Sequence, residues 1–182
     1  MQHLATHLQR LLAYHGWAYA RLLGELASLD EAQYRAPCGL FFGSIHATLN
    51  HLAVADRIWL ARVRGEAQPF ARLDAEAVAE RTALENYLEA GVAAWRDHLE
   101  GLVDVELLAP LAYRNMAGEP QQRSRLEIVT HLVNHGTHHR GQISAALTGE
   151  LTALARRQGL ATPPLASATR ATLAALLPES SA

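Results

Sequence analysis

Apolar residues in this chain return at three- and four-residue steps over stretches too long for anything but helices. Leu4, Leu8, Leu11, His15, Ala18, Leu22 and Leu26 trace one face of a first helix, predicted over about residues 3–29. A loop with Pro37 and Gly39 follows. The second helix, 44–65, is offered a cap by Gly43-Ser44, carries Ile45, Leu49, Leu52, Trp59 and Val63 as its stripe, and closes at Gly65. Asp74 can cap a third, 74–102, with Val78, Leu84, Leu88, Val92, Trp95 and Leu99 as its apolar positions. The box Ser124-Arg-Leu-Glu127 opens a fourth, 124–148, which is expected to stop at Gly149. Pro110, Gly118 and Pro120 forbid continuous helix in "LAPLAYRNMAGEPQQ", which reads as a short extended segment with a turn. Residues 150–178, around "GLATPPLAS", read as a short C-terminal helical extension covering the bundle. Four long amphipathic helices with no set of strands predict an all-α fold: one antiparallel four-helix bundle domain over 1–182, with any site in the core between facing helices.

Composition removes several classes of function. A net charge of −2 with 19% charged residues gives no basic face for nucleic acid. No apolar run approaches the roughly 20 residues that span a bilayer. The first thirty residues are amphipathic, with His3, His7 and Arg10, so neither export nor membrane anchoring is expected. Cys38 is the only cysteine, which excludes an internal disulfide and any multi-cysteine metal site and fits a reducing, cytoplasmic setting. All 16 basic residues are arginine, so Schiff-base chemistry, a lysine general base and a P-loop lysine are excluded together.

The segment "HLVNHGTHHRG" places four of the ten histidines, His131, His135, His138 and His139, on the fourth helix. With His131 at zero on an ideal wheel, the apolar centre of Val129, Leu132, Val133, Gly136, Ile143 and Leu147 lies near about 120°. His139 falls near about 80° and His135 near about 40°, within or against the buried sector, whereas His131 and His138 lie at its outer edge. Two histidines four apart on one helical face can aim two imidazole nitrogens at one point, as zinc-binding H-E-x-x-H helices do. Gly136 replaces the glutamate of that motif, so a peptidase's general base is missing. Glu127 and His131 are four apart and unrepeated, which does not match the Glu-x-x-His pairs of di-iron bundles. His3 and His7 share the i, i+4 spacing but sit at a terminus, where solvated side chains are expected.

A third ligand has several candidates. His51, in "TLNHLAVADRIWLAR", has the small residues Ala47 and Ala55 one turn away on either side, which leaves room for an ion. His46 competes with it, and the strongest rival, His15, lies directly in the stripe of the first helix, where it reads more readily as a core histidine bonded to a neighbour. Asp56 falls on the buried side of the second helix and needs a partner. A histidine N–H would make it an orienter of a metal ligand; an arginine would make it a plain ion pair.

The stretches "GSIHATLNHLAVADRIWLAR" and "LEIVTHLVNHGTHHRGQI", with "AYRNMAGEP" before the latter, resemble the DinB family of damage-inducible four-helix metalloproteins over roughly residues 5–177. The resemblance implies one divalent metal ion, zinc, nickel or iron, held by His51, His135 and His139, and a homodimer. It also implies a small-molecule substrate and action as a metal-dependent thiol transferase or isomerase with a low-molecular-weight thiol as cosubstrate. A metal-dependent hydrolase and a non-catalytic metal-binding stress-response dimer are the alternatives. Where similar proteins continue "G-x-x-x-P-x-L-D", Pro164-Leu165 is followed here by Ala166-Ser167. Cys38 has no basic or histidine-rich neighbourhood that would activate it as a nucleophile.

Overall fold

In the computed structural model, which describes residues 3–157, the chain runs as eight elements. They are α1 (His3–Leu26), α2 (Glu31–Arg35), α3 (Ile45–Arg64), α4 (Arg81–Leu99), α5 (Asp104–Leu108), β1 (Pro110–Arg114), β2 (Pro120–Ser124) and α6 (Arg125–Arg157). The long helices α1, α3, α4 and α6 form the bundle. Both α1 and α3 pack against both α4 and α6, so α1 and α3 take opposite corners. The expected all-α four-helix architecture is the one observed.

Local chemistry sets the helix ends. Ser44 Oγ accepts from the Ala47 N–H at 3.1 Å and starts α3, and Gly65, at φ 68°, ends it in the left-handed conformation. The Ser124–Glu127 box forms as expected: the Ser124 N–H donates to the Glu127 carboxylate at 2.7 Å, and the Glu127 N–H donates back to Ser124 Oγ at 3.2 Å.

Three expected boundaries are corrected. The third helix begins at Arg81 and not at Asp74, because the Glu80 carboxylate takes the N–H groups of Thr82 and Ala83 at 2.9 and 2.6 Å while Asp74 is engaged by Arg72. Val78 is clasped instead by Asn50, whose side chain accepts from its N–H at 2.9 Å and donates to its carbonyl at 3.1 Å. Residues 66–80 are therefore a loop laid across α3. The fourth helix passes Gly149 to Arg157, a lone glycine being tolerated within a helix. The first ends at Leu26, not near residue 29. The rest of the expected 150–178 extension, with the Pro164–Ser167 segment, lies outside the described residues. The turn-containing segment is a hairpin, β1 pairing antiparallel with β2.

The buried apolar residues form two clusters. One holds Leu22, Leu26, Ile45, Leu49, Leu84, Leu88, Ile143 and Leu147; the other holds Leu8, Leu12, Leu60, Trp95, Leu99, Ile128 and Leu132. Near the junction of these clusters each of the four helices places a polar or small residue in the interior: His15 on α1, His51 and Asp56 on α3, Gly91 on α4, and His135, His139 and Arg140 on α6. A polar layer thus crosses the middle of the bundle. No helix among the described residues is long and apolar enough to cross a membrane.

Candidate metal centre

Three imidazoles converge in that layer. His51 Nε2 and His139 Nε2 each lie 3.1 Å from His135 Nε2, and one nitrogen from each ring falls within 4.8 Å of the others. Four nitrogens around an ion at about 2.0–2.1 Å in tetrahedral geometry stand about 3.3 Å apart, so the spacing fits a shared cation.

The far side of two rings fixes which nitrogen is free. The His51 Nδ1–H donates to the Leu73 carbonyl at 2.8 Å, and the His139 Nδ1–H donates to Gln142 Oε1 at 2.8 Å. In the neutral tautomers so fixed, both Nε2 atoms carry lone pairs aimed at His135, and one proton on His135 Nε2 can satisfy only one of them. A divalent ion satisfies all three.

Burial holds the rings uncharged. It pushes the His135 imidazole down to about 3, helped by the surrounding His139 and His51, and lowers His51 and His139 in the same direction. Phe42 stacks flat on His51, centroids 3.9 Å apart and planes 18° from parallel, and shields it from the neighbouring loop side.

His15 is elsewhere engaged. Arg140 Nη1 donates to His15 Nδ1 at 3.0 Å and Arg140 Nη2 donates to Thr137 Oγ1 at 3.1 Å, in a buried network over the Tyr19 ring. Burial first and the Arg140 charge second press His15 down to about 3. It is a core histidine with a partner. His46 turns the other way, its Nε2 2.9 Å from a Glu76 carboxylate oxygen.

Asp56 pairs with Arg57, Oδ2 to Nη1 at 2.8 Å, and meets no histidine, so of its two possible partners the fold supplies the arginine. Gly91 makes room for that pair, since a Cβ there would stand 2.5 Å from Asp56 Oδ2. Burial raises the Asp56 carboxyl to about 6 despite Arg57. His131 and His138 are exposed, as their wheel positions imply, and so are His3 and His7. Among the described residues, His51, His135 and His139 are the one group of three side chains placed to hold a metal.

A groove of about 530 Å³ opens beside His51 and His135, walled by Trp59 and Arg62 of α3 and by Tyr113 and Met116 of the hairpin region. The larger cavity, about 650 Å³ around Phe41, His46 and Glu76, touches none of the three converging histidines, so size does not identify the chemistry. Sequence reasoning missed the Leu73 carbonyl, Phe42 and the groove walls. Gln142 alone had a signal, three residues beyond His139 on the same helix.

The profile of the DinB family matches residues 1–169. The chain belongs to the DinB family. Protein DinB of Bacillus subtilis (strain 168) is 28% identical over 142 residues, 76% of this chain and 83% of that protein. A conserved protein of Enterococcus faecalis has the same fold, with a TM-score of 0.61 at 13% identity over 81% of this chain and 96% of its own. A DinB-like protein of Bacillus cereus ATCC 10987 superposes with a TM-score of 0.56 at 16% identity, covering 85% of this chain and 95% of its own. In this DinB-family chain the convergent histidines come from the two segments that carried the resemblance, one on α3 and one on α6.

Proposed function

We propose that this DinB-family protein binds one divalent ion, zinc, nickel or iron, through His51, His135 and His139, and uses it as a thiol transferase or isomerase acting with a low-molecular-weight thiol on a small-molecule electrophile. The observation that carries the reading is the convergence of three neutral Nε2 atoms at a groove with room for a ligand. A divalent ion held by three neutral imidazoles supplies undiminished Lewis acidity and lowers the pKa of a coordinating thiol. The Leu73 carbonyl and Gln142 hold two of the rings in register, and Phe42 covers one face of His51. The chain has no lysine, and Cys38 lies near the Gly43 carbonyl and packs against the apolar cluster away from the groove, so a thiol nucleophile comes from outside the chain.

The test is spectroscopic. Untagged, cobalt-substituted protein is expected to develop a sulfur-to-metal charge-transfer band on adding bacillithiol, mycothiol or a simple thiol, and the His139→Ala variant is expected to show none. Perturbation by acetate or phosphate but by no thiol would replace the transferase with a metal-dependent hydrolase. Metal-dependent stability without turnover of any thiol adduct would leave a non-catalytic stress-response protein.

A homodimer formed by side-on packing of helices belongs to the same reading. Tyr14 and Trp17 stand 37% and 38% exposed on α1 with ring centroids 5.7 Å apart. Light scattering that returns a monomer mass at micromolar concentration removes the dimer. The lone Cys38 suits work in the reducing cytoplasm.

A further inference from the structure

The groove beside the histidines is lined by no aspartate or glutamate and by one arginine, Arg62. Arg35, Arg57, Arg72 and Arg81 each meet a carboxylate. Among the described residues Arg62 meets none: its one hydrogen bond is a long 3.3 Å contact from Nη2 to Gln68 Oε1, and its Nε is shut from solvent with no acceptor. A half-buried guanidinium with most of its five donors unused is costly unless something accepts from them. It is nonetheless held in place, with Cζ 4.9 Å from the Trp59 ring centre and 5.3 Å from that of Tyr113.

The placement along α3 gives a length. Arg62 follows His51 by eleven residues, a rise of about 16 Å; both side chains lean back toward the N-terminus, the longer arginine by a few ångström more, which leaves the guanidinium on the order of 13 Å from the imidazoles.

We propose that the groove selects ligands bearing a carboxylate, which docks on the Arg62 guanidinium while the other end of the molecule reaches the histidine centre on the order of 13 Å away. Arg62 is thus a specificity-determining residue: it accepts the planar anion in the fork geometry that arginine offers, and the aromatic walls take the ligand's apolar middle. The inference rests on the thiol reading only for which end of the ligand reacts. The carboxylate can belong to the thiol or to its electrophilic partner.

A ladder of ω-mercapto acids tests it as a ruler. On cobalt-substituted protein, 8-mercaptooctanoate is expected to bind on the order of tenfold more tightly than 8-mercaptooctanol, as a charge-assisted hydrogen bond implies. The pair 3-mercaptopropionate and 3-mercaptopropanol, too short to span, is expected to differ little. In Arg62→Met the long-chain preference is expected to vanish while the alcohol's affinity is kept, and Arg62→Lys is expected to retain part of the preference. A preference unchanged in Arg62→Met, or one greatest for the three-carbon acid, places the carboxylate on the cobalt and overturns the proposal.

Failure of the thiol reading is separable, because it removes the charge-transfer band for all four thiols. Binding of octanoate over octanol to the metal-free protein, followed by Trp59 fluorescence with Trp59→Phe as the blank, still reports on Arg62. An equal affinity of octanoate and octanol there overturns the proposal. Octanoate that binds alongside 3-mercaptopropanol assigns the carboxylate to the electrophile, and octanoate that displaces 8-mercaptooctanoate but not the short thiol assigns it to the thiol; both outcomes support the Arg62 site.

Discussion

Gly136 stands next to His135, and its missing side chain shapes the polar layer. A Cβ there would overlap the His15 ring and stand 2.7 Å from Arg140 Nη1, so no larger residue fits without moving the pair that ties α6 to α1. Gly136→Ala is expected to cost about 1–3 kcal/mol in denaturant unfolding, the usual cost of overpacking a filled core. Alanine at His51, His135 or His139 is expected to abolish stoichiometric metal by elemental analysis, while His138→Ala keeps it, because His138 is exposed beside the cluster and points no nitrogen into it. Equal loss in all four variants would overturn the ligand set. The sequence made His135 and His139 readable because helical periodicity fixes their shared inward face. His51 sat at the margin of its stripe, where a wheel separates it poorly from His46 and His15, and it was singled out by resemblance alone. The Leu73 carbonyl was unreadable, since any residue supplies a carbonyl and only the path of the loop decides which one arrives.

At the scale of elements, the loop 66–80 is where the reading of the sequence and the fold part. Asp74 and Glu80 are both acidic residues ahead of apolar periodicity, and only the fold determines which one caps. The Asn50 side chain decides the matter by binding both backbone groups of Val78, which holds that residue out of a helix. Glu80→Ala is expected to lower the urea midpoint clearly through loss of the cap, and Asp74→Ala to leave it nearly unchanged. The four core helices and the Ser124 box were legible because each follows from spacing or from a local hydrogen-bond motif. The starting point of α4 was not, because it depends on residues thirty positions away.

Across the whole molecule, the polar layer makes stability depend on pH. Histidines unfolded in water take up protons near about 6.5, whereas His15 and His135 in the fold resist protonation down to about 3. As pH drops below about 6.5 the unfolded chain gains protons that the native one does not, so each of these imidazoles costs at most about 1.4 kcal/mol per pH unit, less for the partly exposed His135. Asp56 works the other way: its carboxyl, raised to about 6 from 3.8, is protonated first in the fold and returns some stability over that interval. Two imidazoles outweigh one carboxyl, and metal-free protein is expected to show a lower urea midpoint at pH 4.5 than at pH 7; an equal or higher midpoint would refute the balance. Ligation by neutral imidazoles places the same sign on metal uptake, which is expected to weaken on acidification, and a bound ion at 1,000 times its Kd adds about 4 kcal/mol that a chelator removes. The hairpin, finally, carries a consequence for change over time. Its turn is closed by its own hydrogen bonds, Asn115 Oδ1 accepting from the Ala117 and Glu119 N–H groups and Arg114 donating to the Gly118 carbonyl, while the three histidines stand on α3 and α6. Histidine cluster and groove rim are thereby inherited as separate parts: Tyr113, Met116 and Ala117 can be rewritten by recombination or in a directed-evolution library, reshaping the groove wall while Asn115 keeps the turn and the three histidines keep their frame.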